Sequence, residues 1–385
     1  MRNNYFTTAA FLLVLLIISI SSNAQVFETV WERADSTRPD WFSDGQAEEN
    51  SWNGTERGIT YNPITERVYV ASRFQGEPHV RIVDPLTGED LGELLTMGIE
   101  AGGEFDGMGY PINNVQVSED GQIFACNMTL GAGNETSEGE TKAFRVYKWE
   151  FENARPEMII DYQENGYRLG DKFTVYGDYT KNALIYAGVS ESRTILQWVV
   201  ENGIVINKND PNEIVAQDVV SLGTSITVEP LGPEPDDDMY ISGKGFLPTL
   251  FKADGTFVSQ FALTTENAPS RIAGRMLDLD GKTYMAMYQG GEGYQNAVLI
   301  DMTQGGENVT DDKIYGMTNS LGEPAAWGEG AVGLADINDS LYVFVCAPDN
   351  GIAAYKASEI GGGTQTGVET AAQQAFSLKN YPNPF

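Results

Sequence analysis

A chain of 385 residues with 24 Lys and Arg against 55 Asp and Glu carries a formal charge of −31. Such a chain repels phosphate backbones and anionic bilayers, which excludes nucleic acid as a natural partner. Its single histidine, His79, also argues against a Ser-His-Asp triad, a His-rich zinc site or a haem site.

In chain order, Arg2 gives a positive start, Ala9 to Ile20 is apolar, and Ser22-Asn23-Ala24 offers a small-x-small cleavage site before Gln25. This reads as a secretory signal peptide over residues 1–24, its apolar part too short to span a bilayer comfortably. No Cys follows the cleavage site, so a lipid anchor is not expected, and no later segment is apolar enough to cross a membrane. The mature chain is expected to start at Gln25 and to reach the cell surface or the medium after passing through the periplasm. Loss of Arg2 takes its charge from −31 to −32.

From residue 25 the chain repeats one pattern. Its clearest unit runs from Arg57 to Arg73 and on through Val80 to Gly92. Strand, turn at Asn62-Pro63, second strand at Val68 to Ser72, third strand at Val80 to Val83, and tight turn at Asp84-Pro-Leu-Thr-Gly88 into a fourth strand make one four-stranded antiparallel blade. Val115 to Cys126 with Phe144 to Trp149 repeats the pattern, and Phe173 to Gly177, Ala183 to Ala187 and Thr194 to Val200 form a third unit. A fourth combines Ile226 to Glu229, Met239 to Ser242, Thr249 to Lys252 and Phe257 to Leu263. Ala273 to Leu277, Lys282 to Ala286 and Ala297 to Asp301 make a fifth; Ala331 to Ala335, Ser340 to Val345 and Ile352 to Lys356 make a sixth. Second strands recur at roughly 45 to 60 residues, the period of a propeller blade. The sixth unit shows three strands, and Val26 to Trp31 can supply its outer one and so close the ring. The expected fold is all-β, a single β-propeller over residues 25–360 of six four-stranded blades, with seven as the alternative. Cys126 and Cys346 lie in apolar strands of non-adjacent units, which favours two buried thiols, although the periplasm permits a disulfide. A Gly/Thr-rich linker is expected over residues 361–375.

Three resemblances follow from these residues. The Arg57 unit, with its Val-Tyr-Val-Ala strand and Asp-x-x-Thr-Gly turn, resembles the YVTN-type propeller repeats. The end of the chain, Asn380-Tyr-Pro-Asn-Pro-Phe385 with Val368-Glu369 and Phe376-Ser377-Leu378 before it, resembles the opening of the type A C-terminal sorting domain of Bacteroidetes-type proteins. That resemblance implies export by the type IX secretion machinery, with residues 376–385 the start of a sorting domain truncated at Phe385. Trp31-Glu-Arg, Trp41-Phe-Ser, the Arg57-Gly-Ile-Thr-Tyr unit and Arg168-Leu-Gly-Asp171 together resemble an uncharacterised family of surface proteins, DUF4623. It implies a fold and a location rather than a chemistry.

Propellers bind ligands at the mouth of the central channel, on the segments leading into each innermost strand. Those segments carry Glu56-Arg57, Asn113-Asn114, Asp171-Lys172, Ser225, Arg271 and Glu329. Arg57, Asn113, Asn114 and Arg271 are the expected ligand-binding residues. Glu56, Asn114, Asp171 and Glu329 would form an all-oxygen ring suited to Ca²⁺, similar to the site of gluconolactonase-like propellers, or would merely solvate the mouth. Asp236-Asp237-Asp238 reads as a solvated loop. The Gly-rich stretches around Tyr110 and Tyr294 precede no helix, so phosphate cradling is not supported, while Tyr110, Tyr294 and Trp327 could stack on sugars or simply pack loops. Three functions remain open: a secreted or surface binding module for a glycan or protein, a calcium-dependent lactonase-like hydrolase using the channel carboxylates, and a structural surface or matrix protein.

Overall fold

The computed structural model describes residues 26–45, 54–99, 110–137, 139–264, 271–291, 294–323 and 329–358. The expected signal peptide, linker and sorting segment lie outside the described residues.

Six antiparallel sheets form a ring of blades, as the repeat predicts. Blade 1 is β2 (Glu56–Asn62), β3 (Arg67–Ser72), β4 (His79–Val83) and β5 (Asp90–Glu93), and blade 2 is β6 (Asn114–Val117), β7 (Ile123–Cys126), β8 (Phe144–Trp149) and β9 (Glu157–Tyr162). Blade 3 is β10 (Thr174–Gly177), β11 (Asn182–Gly188), β12 (Thr194–Glu201) and β14 (Asn212–Val215), with the two-residue β13 (Ile204–Val205) folded onto one end of β12. Blade 4 is β15 (Thr224–Pro230), β16 (Met239–Lys244), β17 (Phe246–Phe251) and β18 (Phe257–Gln260). Blade 5 is β19 (Arg271–Leu279), β20 (Lys282–Gly291), β21 (Tyr294–Asp301) and β22 (Ile314–Met317). Blade 6 takes β23 (Ala331–Asp336), β24 (Leu341–Ala347) and β25 (Gly351–Ala357) from the end of the propeller, and its outer strand is β1 (Phe27–Ala34) from the start.

The second strands are apolar on both faces because each blade is sandwiched between two others. In β11, Ala183, Ile185 and Ala187 face blade 2, packing with Phe124 and Cys126, whereas Leu184 and Tyr186 face blade 4 and meet Ile226, Val228 and Ile241. Alternation along a strand therefore feeds two cores at once. Among the described residues the hydrophobic interior is accordingly not one cluster but six, one at each blade-to-blade interface.

Closure depends on β1, which pairs antiparallel with β25 from Phe27↔Ala357 to Ala34↔Gly351. Phe27 and Trp31 are buried there, each contributing about 2–3 kcal/mol by area removed from water. Trp31 also donates its indole N–H to the Pro85 carbonyl at 2.8 Å, inside the Asp84–Gly88 turn of blade 1. Asp84 holds that turn by accepting from the backbone N–H groups of Leu86 and Thr87. Gly88 has φ +68°, and a Cβ on it would stand 2.6 Å from the Trp31 ring, so the repeat's glycine makes room for the closing tryptophan. Cys126 and Cys346 are free and buried.

Candidate functional site

The inner strands begin at one end of the ring, and there side chains from four blades meet. β2 carries a bulge between Glu56 and Gly58, which leaves Arg57 outside the strand ladder. Its carbonyl is free to accept the Asn114 amide N–H at 3.2 Å, from blade 2, and the Lys172 ammonium from blade 3. Lys172 also reaches the Glu329 carbonyl at 3.4 Å, at the start of the opposite blade, so its side chain spans the channel mouth.

The Arg57 side chain turns back to donate Nε–H to the Gly54 carbonyl at 2.8 Å. Arg73, just past the end of β3, donates to the same carbonyl at 3.1 Å. It donates as well to Asn113 Oδ1 and stacks under the Tyr110 ring, 4.7 Å from its centroid. Asn113 passes the connection on, donating to the Gly170 and Asp171 carbonyls at 2.7 and 3.2 Å. Gly170 has φ +85°, and a Cβ there would lie 1.9 Å from the Asn127 carbonyl, so only glycine fits the turn that presents these acceptors.

Arg57, Arg73 and Lys172 are 8%, 2% and 4% exposed. Burial lowers the pKa of each, that of Lys172 to about 8, because a low-dielectric surrounding disfavours the charged form. Among the described residues none of the three is ion-paired with a carboxylate; their hydrogen-bond acceptors are carbonyls, an amide and a thioether.

The acidic side chains of the mouth are engaged elsewhere. Glu56 is fully buried and accepts from Thr55 Oγ1 and Ser72 Oγ, both at 2.6 Å, and from the Ser43 backbone N–H at 3.2 Å. Burial outweighs these donors and pushes its carboxyl up to about 7. Asp171 is held in a fork by Arg168, at 2.9 and 2.7 Å. Glu329 is paired with Lys244 of blade 4. Asn114 offers only one oxygen, which is buried and has no hydrogen-bond partner. Glu56, Asn114, Asp171 and Glu329 thus all lie at the mouth, yet among the described residues no three His, Cys, Asp or Glu side chains are grouped to hold a metal ion. These four residues do not fit a calcium cage as they stand, because each carboxylate already has its donors.

Of the expected ligand-binding residues, Arg57, Asn113 and Asn114 share this network. Arg271 begins β19 opposite Gln289; its side chain lies outside the described residues. Arg73 was not among the residues expected here, although a charged residue directly after an apolar second strand marks the strand's return to the same mouth. Lys172 was expected only as part of a lead-in segment. Ser225 sits in a further bulge, between Thr224 and Thr227, with φ 52°.

No curated protein matches the chain. A family described as a domain of unknown function (DUF8500) matches residues 113–228, which span blades 2 and 3 and most of the first strand of blade 4. Among solved structures, the chain is similar to regucalcin, a calcium-binding protein from Agrobacterium tumefaciens str. C58, at 10% identity and a TM-score of 0.45, over 82% of this chain and 93% of that one. A score that low carries no argument. The chain is also similar to a DUF4623 family protein from Bacteroides eggerthii DSM 20697, at 15% identity and a TM-score of 0.64, covering 86% of this chain and 74% of that one. At that identity the likeness shows the fold alone: the chain is a six-bladed β-propeller shared with a DUF4623 protein.

Proposed function

We propose that this protein is an exported β-propeller binding module whose ligand sits at the channel mouth where the inner strands begin. The observation that carries the reading is the convergence of buried polar and charged side chains from blades 1, 2, 3 and 6 on that mouth. A solvated channel end would leave such groups in water. Burying charge costs free energy even where it is hydrogen-bonded, and the Asn114 amide oxygen there still lacks a partner. Export is supported by the signal-like residues 1–24 and by the Asn380–Phe385 run, which would hand the chain to the type IX machinery for release or surface attachment. The resemblance to DUF4623 surface proteins extends from the quoted motifs to the shared fold. The hydrolase reading gains nothing from the geometry, since Glu56, Asp171 and Glu329 are each already hydrogen-bonded or ion-paired.

A glycan array probed with the mature chain and with an Arg57→Gln variant tests the proposal. Hits that vanish in the variant support a ligand seat at the mouth. An array without hits, or hits indifferent to the substitution, would move the binding surface elsewhere on the propeller or remove it.

A further inference from the structure

The chemistry of the mouth narrows the ligand. Arg168 is neutralised by Asp171 and Lys244 by Glu329. Arg57, Arg73 and Lys172 remain, with only Glu56 and Asp349 as further carboxylates among the groups that act on the two arginines. Asp349 itself accepts the Gly54 N–H at 2.6 Å. In a chain of charge −31, a buried group of three cations with neutral hydrogen-bond acceptors is a local inversion of sign. The excess is small, which suits a single negative charge better than a dianion. Two guanidiniums that share the Gly54 carbonyl bring planar forks of donors together, the arrangement that meets a carboxylate.

A second observation is independent of charge. Asn114 is 2% exposed and spends its amide N–H on the Arg57 carbonyl, the same oxygen that holds Lys172. Its amide oxygen has no partner. A buried acceptor left open beside the cations calls for a donor from the ligand, such as a hydroxyl.

We propose that the mouth seats a hydroxylated carboxylate of the sugar-acid class, its carboxylate on Arg57, Arg73 and Lys172 and a hydroxyl on the Asn114 amide oxygen. The assignment rests on the reading of the mouth as the ligand seat.

The test is calorimetric titration of the mature chain with short oligomers of glucuronate, galacturonate and mannuronate, each beside its methyl ester, and with inorganic sulfate and phosphate. The esters keep the hydroxyls and remove the charge. At least one acid oligomer is expected to bind about tenfold or more tightly than its ester, the scale of one charge-assisted hydrogen bond. Lys172→Met and Arg73→Gln should each erase that preference, with folding checked by circular dichroism; Lys172→Met alone suffices if the arginine variant does not fold. Equal binding of acid and ester, or no binding of any acid, overturns the sugar-acid assignment. Sulfate or phosphate binding as tightly as the best acid overturns it too, in favour of a general oxyanion seat. Ester binding that mouth substitutions abolish would leave the mouth as the ligand seat while removing the acid. Acid binding that both substitutions leave intact would remove the mouth itself.

Discussion

The two ends of the channel both carry cations that donate to backbone carbonyls, half-buried at one end and buried at the other, and treat them differently. Toward the far end, Arg275 on β19 crosses from blade 5 to donate to the Val117 carbonyl of blade 2 at 2.8 Å and to the Val175 carbonyl of blade 3 at 3.3 Å, with its guanidinium 5.7 Å from the Tyr176 ring centre. Two carboxylates lie in its field. Glu229, buried, accepts the Met276 backbone N–H at 3.1 Å, and Glu119 is exposed nearby. One cation there ties three blades together, with negative charge in excess. At the mouth three cations are buried, and the nearby carboxylates are occupied by other partners. The far end is a clasp whose charges answer each other; the mouth holds its charge open. Buried charge alone does not distinguish structure from function, but the balance of its neighbours does.

The sharpest way to break this contrast is to remove the clasp. Arg275→Met leaves Glu229 without its cation and takes the side-chain donor from the Val117 and Val175 carbonyls. We expect stability at pH 8 to fall by about 3–5 kcal/mol, the loss of two charge-assisted hydrogen bonds beside a buried carboxylate, read by chemical denaturation. A loss near zero would mean that the far end is as loosely balanced as the mouth.

The next largest effect is a pH dependence. Burial raises the Glu229 carboxyl from 4.5 to about 7 despite Arg275, so between those values the folded state binds a proton that the unfolded state has released. The sign follows: Glu229 makes the wild type lose stability as pH rises from about 4.5 to about 7. Glu229→Gln removes that loss. The variant should match the wild type near pH 4.5, apart from the altered Met276 hydrogen bond. It should be more stable at pH 8 by about 2–3 kcal/mol. Melting temperatures of both proteins across this range check it, and parallel curves would show that Glu229 does not titrate late.

How much of this was legible beforehand follows from burial. Second strands such as Val68–Ser72 and Ala183–Ala187 declare themselves because both faces are packed, and the turn at Asp84–Gly88 because its side-chain chemistry is local. The outermost strands β9, β14 and β22 are not marked by the repeat, since β14 is short and largely exposed, β22 is short and only half-buried, β9 buries just half of its residues, and nothing in an Asn-Glu-Ile-Val run fixes its partner. The closing role of Val26–Trp31 was readable because the last unit lacked a strand. At the mouth, the repeat register placed Glu56, Asn113, Asn114, Asp171 and Glu329 together. It gave no account of which acids were already satisfied: Ser72 on the next strand serves Glu56, and Lys244 from another blade serves Glu329. A mouth expected to be acidic is therefore positive at its centre.

Lys172→Met sharpens the comparison from the other side. Burial depresses the Lys172 ammonium to about 8, so at pH 7 the folded state carries a charge it would rather lose, and wild-type stability should rise with pH between about 8 and 10.5. Methionine keeps the length, drops the charge, and forfeits the hydrogen bonds to the Arg57 and Glu329 carbonyls. The net change at pH 7 should be small, a gain of about 1 kcal/mol, opposite in sign to Arg275→Met, with the preference for acid over ester lost. A marked drop in melting temperature would instead make Lys172 a second clasp.

The smallest effect is expected at the rim, and it separates charge balance from contact. The Lys244 side chain is 52% exposed where it pairs with Glu329, so Lys244→Met should change stability by no more than about 0.5 kcal/mol. It shows no bond to Arg57, Arg73 or Lys172. It does, however, release the Glu329 carboxylate into a mouth whose positive excess is about one charge, close to the Lys172 ammonium that already touches the Glu329 backbone. A freed carboxylate competes with an anionic ligand for the same cation. Binding of an acid oligomer should weaken about three- to tenfold at low salt and recover part of that loss as salt screens the new charge. Binding of the matching ester should not change. If acid and ester are weakened alike, Lys244 acts by contact; if neither is, the charge of Glu329 does not reach the ligand and the mouth is closed to it.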